Sequence, residues 1–567
     1  MRYFLLFATL LVSVFGYGQD AYYSSPLKIP MILSGSFAEL RSNHFHSGID
    51  IKTQGTVNVP VYAVADGFIS RISISHSGYG NVLYIEHDNG TTSVYGHLNQ
   101  FRPDIQEYIR NIQYERKSFQ VDVPVFPEIF PIQKNEKFAL SGNSGSSEGP
   151  HLHFEIRNTK TSDPLNPLKF GFNVADKSAP KIYALQITPL SESSHVNYNA
   201  GKVIFEVVQS EGKYQLKNNQ VIPVYGEIGF AIESNDFLDG SSNKCGINSM
   251  LLTIDDVVCS SFQLNRFSFN ESKYINSYID YEEYSSSSRR FQRTWVEPCS
   301  KLSNFEFTDK NGIFDPEIGS IHQVKIEIKD GEGNTSVLEF SVEGKYREMQ
   351  PQSKESVADF ECGRVNQFKT EDFIIELPND ALYKNLGFQY KSQEATDGFY
   401  STINQIHNKT VPLHKPAVVR IKIINLEEQF QQKALLVNIN PETGKYTAAG
   451  GNYKNGWVTA EINRFGNYAV RIDTVSPTIL PLSITNKNTL TEANRIRFEI
   501  KDDLAGIDQI EGLIDGVWAL FEYDAKSNTI THYFDAEHFE LNKQHQFKLT
   551  VSDTKGNSSV YEATFQK

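Results

Sequence analysis

Three short segments of this 567-residue chain combine side chains that bind metals and move protons. They are His46-Ser47-Gly48-Ile49-Asp50, Tyr95-Gly96-His97-Leu98 and Gly149-Pro150-His151-Leu152-His153-Phe154-Glu155. Side chains alternate faces along a strand, so His46 and Asp50, four apart, point the same way, as do His151 and His153. Tetrahedral zinc accepts imidazole nitrogen and carboxylate oxygen, and a catalytic zinc keeps one position for water beside three protein ligands. Such an ion lowers the pKa of the water toward about 7 and polarises a carbonyl. A nearby uncoordinated histidine then moves the proton and steadies the developing oxyanion. Each pattern alone is weak, since an HxH on a strand is more often incidental than a ligand pair. All three in one β-rich stretch point to metal-assisted hydrolysis.

The elements that must position these residues read as strands and turns. Val82-Leu83-Tyr84-Ile85 forms a strand, and the Asn89-Gly90 pair in the following turn is a strong hairpin signal. Thr91 to Leu98 returns as the partner strand and carries His97 near its end. Further strands are predicted at Lys137 to Leu140 and His151 to Ile156. Gly67, Gly78, Gly80 and Gly142 are read as turn residues. Between these strands, Asp104 to Lys117 has a helical pattern, and Val121 to Pro131 holds Pro124, Pro127 and Pro131. Residues from about 100 to 131 are therefore read as an insertion that either walls a groove or closes over it. Asp163-Pro164-Leu165-Asn166-Pro167 closes the region, because proline cannot continue a central strand.

With these residues in view, the segment resembles the lysostaphin- and LytM-like peptidases of family M23, the peptidoglycan endopeptidases. The likeness runs from Arg41 to Asp50, through Pro60-Val61-Tyr62-Ala63-Val64-Ala65-Asp66-Gly67, Gly78-Tyr79-Gly80-Asn81 to His87, and Tyr95 to Leu98. It ends with Ser141-Gly142-Asn143-Ser144-Gly145 and Gly149 to Glu155, and covers roughly a quarter of the chain. It implies an antiparallel β-sheet peptidase domain with one zinc ion held by His46, Asp50 and His153. It implies His97 and His151 as the uncoordinated active-site histidines, and peptide bonds of peptidoglycan, in stem peptides or cross-links, as the substrate. The 100–131 insertion departs from compact family members. So does Lys134-Asn135-Glu136, where a glycine turn is usual, although Asn tolerates the left-handed conformation. Of the remaining groups, His44 is assigned to the rim or to support of the ligands. His87 is assigned a structural role and His76 a solvent-facing one. Glu155 reads equally as support for His153 from the same strand face and as an ordinary surface carboxylate.

Beyond the chemistry, Tyr and Phe are abundant at 28 and 38 residues, which favours strands, and the fold class expected is all-β. Asp176-Lys177-Ser178-Ala179-Pro180 recurs as Asp473-Thr474-Val475-Ser476-Pro477. An Asp-containing stretch before Cys245-Gly246-Ile247 parallels Asp502-Asp503 before Ala505-Gly506-Ile507. Asp330 leading to Gly333-Asn334 recurs as Asp553 leading to Gly556-Asn557. The domains expected are a peptidase domain at 20–175, immunoglobulin-like β-sandwiches at 176–345 and 473–567, and a β-rich domain at 350–472 between them. Asp502, Asp503 and Asp508 are read as solvated loop residues ahead of calcium ligands. Cys245, Cys259, Cys299 and Cys362 do not have zinc-ribbon spacing and are read as structural disulfides or buried thiols.

Residues 1–19 read as a secretory signal peptide: Arg2, an apolar run from Tyr3 to Phe15, then Gly16 and Gly18. The chain is thus expected to be exported, to the periplasm or beyond, with no membrane span after cleavage. A net charge of −14 argues against nucleic-acid partners. The function expected is a zinc metalloendopeptidase of peptidoglycan. The alternatives are an envelope binding or activator protein that uses the peptidase fold as a docking platform, and a peptidase acting on an extracellular protein. The C-terminal β domains are assigned an envelope protein or glycan partner on architecture alone.

Overall fold

The elements carrying the three clusters are neighbours in one antiparallel sheet. The computed structural model describes residues 22–567 except 211, 350–354, 395–397, 485–487, 491–493, 535–539 and 541–542. The signal peptide read at 1–19 lies outside the described residues. The N-terminal elements are β1 (Leu33–Gly35), β2 (Ile49–Lys52), β3 (Pro60–Tyr62), β4 (Gly67–Ile74), β5 (Asn81–Glu86), β6 (Thr91–Gly96) and β7 (Leu98–Phe101). They continue with α1 (Pro103–Arg116), β8 (Val121–Pro124), β9 (Pro131–Ile132), β10 (Lys137–Ser141), β11 (His151–Asn158) and β12 (Pro164–Leu165). The main sheet runs β1-β2-β11-β6-β5-β4-β8, and β3-β10-β7 forms a second, smaller sheet.

The period of two along β11 sorts its residues by face. Leu152, Phe154 and Ile156 join Ile49 and Ile51 of β2 in the buried core. His151, His153, Glu155 and Arg157 take the opposite face. Residue His153 lies directly across from Asp50 on one side and Gly96 on the other. A side chain at Gly96 would meet the His153 Cβ at 3.3 Å, so glycine here leaves the imidazole its space.

The insertion does not do what its position in the sequence suggests. Helix α1 starts with proline in its first turn and stops at Lys117, which is left-handed at φ 48°. It buries Ile105 and Ile109 in the core. Strands β8 and β9 then pair with β4, at the edge of the sheet away from β2. None of residues 103–131 lines the groove described below, so the expected wall or lid is replaced by a sheet extension. The prolines suit that place, because an edge strand leaves one row of N–H groups unused.

The rest of the chain is also antiparallel sheet, with few parallel pairs. Residues Phe360 to Val470 and Ile484 to Phe565 form their own apolar clusters. The core of the N-terminal sheet, by contrast, continues without a break into the strands between Lys181 and Gly344. The join is aromatic: Phe37 and Phe45 lie 5.5 and 5.6 Å, centroid to centroid, from Phe267. Cys299 and Cys362 form a disulfide, while Cys245 is a buried thiol and Cys259 a partly buried one. Among the described residues no helix is long and apolar enough to cross a membrane.

Candidate metal centre and active site

Three ligand-type atoms converge at the β2–β11 pair. His46 Nε2 stands 3.1 Å from Asp50 Oδ1 and 3.1 Å from His153 Nδ1, and His153 Nδ1 stands 2.9 Å from Asp50 Oδ1. Ligands about 2.05 Å from a tetrahedral zinc lie about 3.3 Å apart, so the set needs only a slight opening to hold such an ion. All three side chains are buried. Each is also oriented by its other polar atom, as ligands of a metal generally are. His46 donates from Nδ1 to the Ser36 carbonyl at 2.8 Å. Arg41 Nη2 holds Asp50 Oδ2 at 2.9 Å. His153 Nε2 meets Glu155 Oε1 at 2.8 Å, and Glu155 also accepts from Ser47 at 2.7 Å and pairs with Arg157.

Electrostatics make this a place for positive charge. Burial opposes ionisation of Asp50, but the three surrounding imidazoles hold its carboxyl well below the usual range. Burial likewise opposes ionisation of Glu155, and Arg157 with His153 outweighs it and drives the carboxyl below its ordinary value. His153 lies between the two carboxylates. Burial disfavours its charged form, yet the hydrogen bonds to Asp50 and Glu155 raise it to about 9. A divalent ion beside the same carboxylates would take the place of that proton.

His97 and His151 face the cluster without joining it. Their ring centroids are 4.7 Å apart. His97 ends the β6 strand in a left-handed conformation, φ 58°, uncommon for a residue with a side chain and typical of functional positions. Its Nδ1 bonds the Ser144 carbonyl at 2.8 Å, and the Nδ1 of His151 bonds the Gly149 carbonyl at 2.8 Å. Both rings therefore present Nε2 to the groove, and His151 Nε2 reaches to 3.4 Å from Asp50 Oδ1. Burial, then repulsion from His153 and His151, lowers His97 to about 3, so its ring is neutral at ordinary pH.

The loop that carries Ser144 and Gly149 is held from two sides. Gly80 and Gly145, both at positive φ, approach so closely that a Cβ on Gly145 would lie 2.3 Å from Gly80 N. From the C-terminal sheets, Lys526 donates to the carbonyls of Asn143 and Ser147. Nearby, Tyr523 lies 5.5 Å from His76, which is half-buried rather than solvent-facing as expected. His44 is exposed at the groove rim. His87 is buried away from the groove, bonded to the Asp66 carbonyl and Ser93.

A groove of about 1230 Å³ runs over the five residues. Its far wall is supplied by Lys244, Phe269 and Lys273, which belong to the segment after β12 and not to the peptidase-like sheet. Outside the ligand set its lining carries Arg41, Lys52, Lys244 and Lys273 against Glu39 and Glu148. Sequence reasoning gave no role to Arg41 or to the wall residues. Arg41 fell inside the resembling stretch, but nothing local distinguishes an arginine that will reach a carboxylate from a solvated one.

An all-β fold that gathers a His/Asp/His cluster and two further histidines holds the donor set that metal-assisted hydrolysis requires. The chain contains a peptidase family M23 domain, whose family model matches residues 44–113; a second model, the Zu5-like domain, matches residues 358–473. Similar curated proteins include the DD-carboxypeptidase/endopeptidase Mpg of Neisseria meningitidis, 32% identical over 25% of this chain and 27% of its own length. Another is the peptidoglycan DD-endopeptidase ShyB of Vibrio cholerae, 27% identical over 27% of this chain and 29% of its own length. This chain therefore spans little more than a quarter of those relatives. Among solved structures, the catalytic domain of lysostaphin from Staphylococcus simulans aligns with 20% identity and a TM-score of 0.19, covering 25% of this chain and 91% of that one.

Proposed function

We propose that this protein is an exported zinc-dependent metalloendopeptidase that cleaves peptide bonds in peptidoglycan, in stem peptides or their cross-links. The observation that carries the reading is the convergence of His46 Nε2, Asp50 Oδ1 and His153 Nδ1 within 3.1 Å, beside His97 and His151, each anchored through Nδ1 on a backbone carbonyl. Those three residues would hold the ion. When bound, zinc supplies a Lewis acid that polarises the scissile carbonyl and acidifies a water molecule. His151, fixed by the Gly149 carbonyl, would take a proton through Nε2 and pass it to the leaving amine. His97, fixed by Ser144 and neutral, would place its Nε2 against the carbonyl oxygen as negative charge develops. Arg41 and Glu155 with Arg157 would keep Asp50 and His153 in place through the reaction. The excess of cationic side chains along the groove, in a chain of net charge −14, suits a peptide rich in carboxylates, as wall stem peptides are.

The test is incubation of the purified protein with cell-wall sacculi, with and without a chelator, alongside metal analysis. Release of muropeptides that stops on chelation and returns with zinc, with about one zinc per chain, is expected; His46→Ala should lose both metal and activity. No bound zinc and no released product would overturn the reading. Cleavage of Gly-rich peptides but not of cross-linked muropeptides would replace the wall by a protein substrate.

A further inference from the structure

The three segments that repeat between the second and last β regions each contribute one aspartate, and in each copy the three aspartates meet. Oxygens of Asp176, Asp236 and Asp330 lie within 4.8 Å of one another, as do those of Asp473, Asp502 and Asp553. We propose that these triads are a duplicated calcium site, separate from the zinc centre.

Hydrogen bonding around the third aspartate is similar in both copies. Asp330 Oδ1 accepts the N–H groups of Glu332, Gly333 and Asn334, and its Oδ2 accepts the Asn334 amide at 2.7 Å. Asp553 Oδ1 accepts those of Lys555 and Asn557, and its Oδ2 accepts the Asn557 amide at 2.7 Å. The two asparagines also reach the carbonyls of Asp176 and Asp473, at 3.3 and 3.0 Å. What these bonds leave over is one oxygen at the same place in each copy. Asp236 is 2% exposed and its Oδ1 has no hydrogen-bond partner; Asp502 is only half-buried as a residue, but its Oδ1 is shielded from solvent and also has no partner. An orphaned buried carboxylate oxygen facing two more carboxylates is unfavourable unless a cation or a proton neutralises it.

The first triad also has room. A cavity of about 20 Å³ adjoins two of its three members, lined by Asp176 and Asp236 with Ser36, Asn248 and the apolar Phe37 and Leu238, while Asp330 lies outside the lining. Its volume exceeds the roughly 10–15 Å³ that one water-sized guest requires. All donors are oxygens, the set that hard cations select, and two oxygens each about 2.4 Å from a shared calcium are at most about 4.8 Å apart. Burial, then the neighbouring carboxylates, raises Asp236 to about 8 and Asp176 to about 6, as expected of like charges without a counter-ion. In the second copy the Lys555 ammonium bonds the Gly451 carbonyl and also lies close enough to Asp553 and Asp473 to interact with both, so a cation there would share the triad's charge with it. A filled first site would also brace Ser36, whose hydroxyl accepts from Gly246 N–H and whose carbonyl orients His46.

The test is calorimetric titration of the full chain, freed of divalent ions, with calcium chloride to ~5 mM, above the range of weak extracellular calcium modules. Two calcium ions per wild-type chain are expected, one for D236N, one for D502N and none for the double variant, with folding checked by circular dichroism. No binding by the wild type overturns the proposal. So does an unchanged count of two in either folded variant. If D236N does not fold, D502N alone must lower the count from two to one. The outcome is independent of zinc binding and of peptidase activity.

Discussion

Phe45 and Phe267 lie 5.6 Å apart, centroid to centroid, and through that contact a segment outside the peptidase-like sheet sets the position of the adjoining residue, His46. Phe45 is 1% exposed, its ring also lies 6.2 Å from Tyr278, and its N–H donates to Ser272 Oγ at 2.9 Å. The candidate metal centre is thus completed by packing between two β regions.

Truncation there should act on the metal without touching it. Phe45→Ala is expected to cost about 3–5 kcal/mol of stability and to weaken zinc binding, measured by competition with a chromogenic chelator. Phe547→Ala, in the separate C-terminal core, is the control: similar loss of stability with unaltered zinc affinity. Equal zinc affinity in both variants would show that the Phe45 contact is purely structural.

Glu155→Gln should affect both stability and metal. The residue is fully buried between His153 and Arg157. Neutralising it strands a buried guanidinium, at a cost of about 3–5 kcal/mol in urea denaturation. It also replaces the charged acceptor that orients His153 by a weaker neutral one, which should lower metal affinity by about 10-fold or more.

Stability should fall in acid partly through His97. The folded ring is lowered to about 3, against about 6.5 in an unfolded chain. Between those values the unfolded state binds a proton that the folded state refuses, so stability rises with pH across the window and is lost as pH falls. A bound divalent cation acts in the same direction. His97→Gln is expected to reduce the slope of unfolding free energy against pH by up to about 1.4 kcal/mol per unit between pH ~4 and ~6. It should also retain zinc while lowering kcat by about 10²–10⁴-fold. An unchanged acid slope with a normal kcat would remove His97 from the active site.

Reduction of the Cys299–Cys362 bond should destabilise the region it closes. The loop spans 63 residues, and the chain-entropy model gives about 4 kcal/mol for such a link. Denaturation with and without reductant measures it, and Cys245, a buried thiol, is not expected to replace either partner.

The amino-acid sequence alone determined the features that depend on local spacing. His46 and Asp50, the HxH pair and the Asn-Gly hairpin were legible because alternation along a strand is a two-residue rule, and the same rule put His151, His153 and Glu155 on one face. The aspartate repeat was legible too, although it was read only as the mark of two similar β-sandwich domains with solvated loops, because convergence of three segments is not a local property. Tertiary structure alone decided which carboxylates are buried, turning Glu155 from an open choice into a partner of His153. It moved the 100–131 insertion from the groove to the sheet edge and gave the groove wall to Lys244, Phe269 and Lys273. It also brought Lys526 to the Asn143 and Ser147 carbonyls. The physical reason is common to all of these: burial and long-range contact are decided by how separate apolar faces cover one another, and no short window of sequence contains both faces.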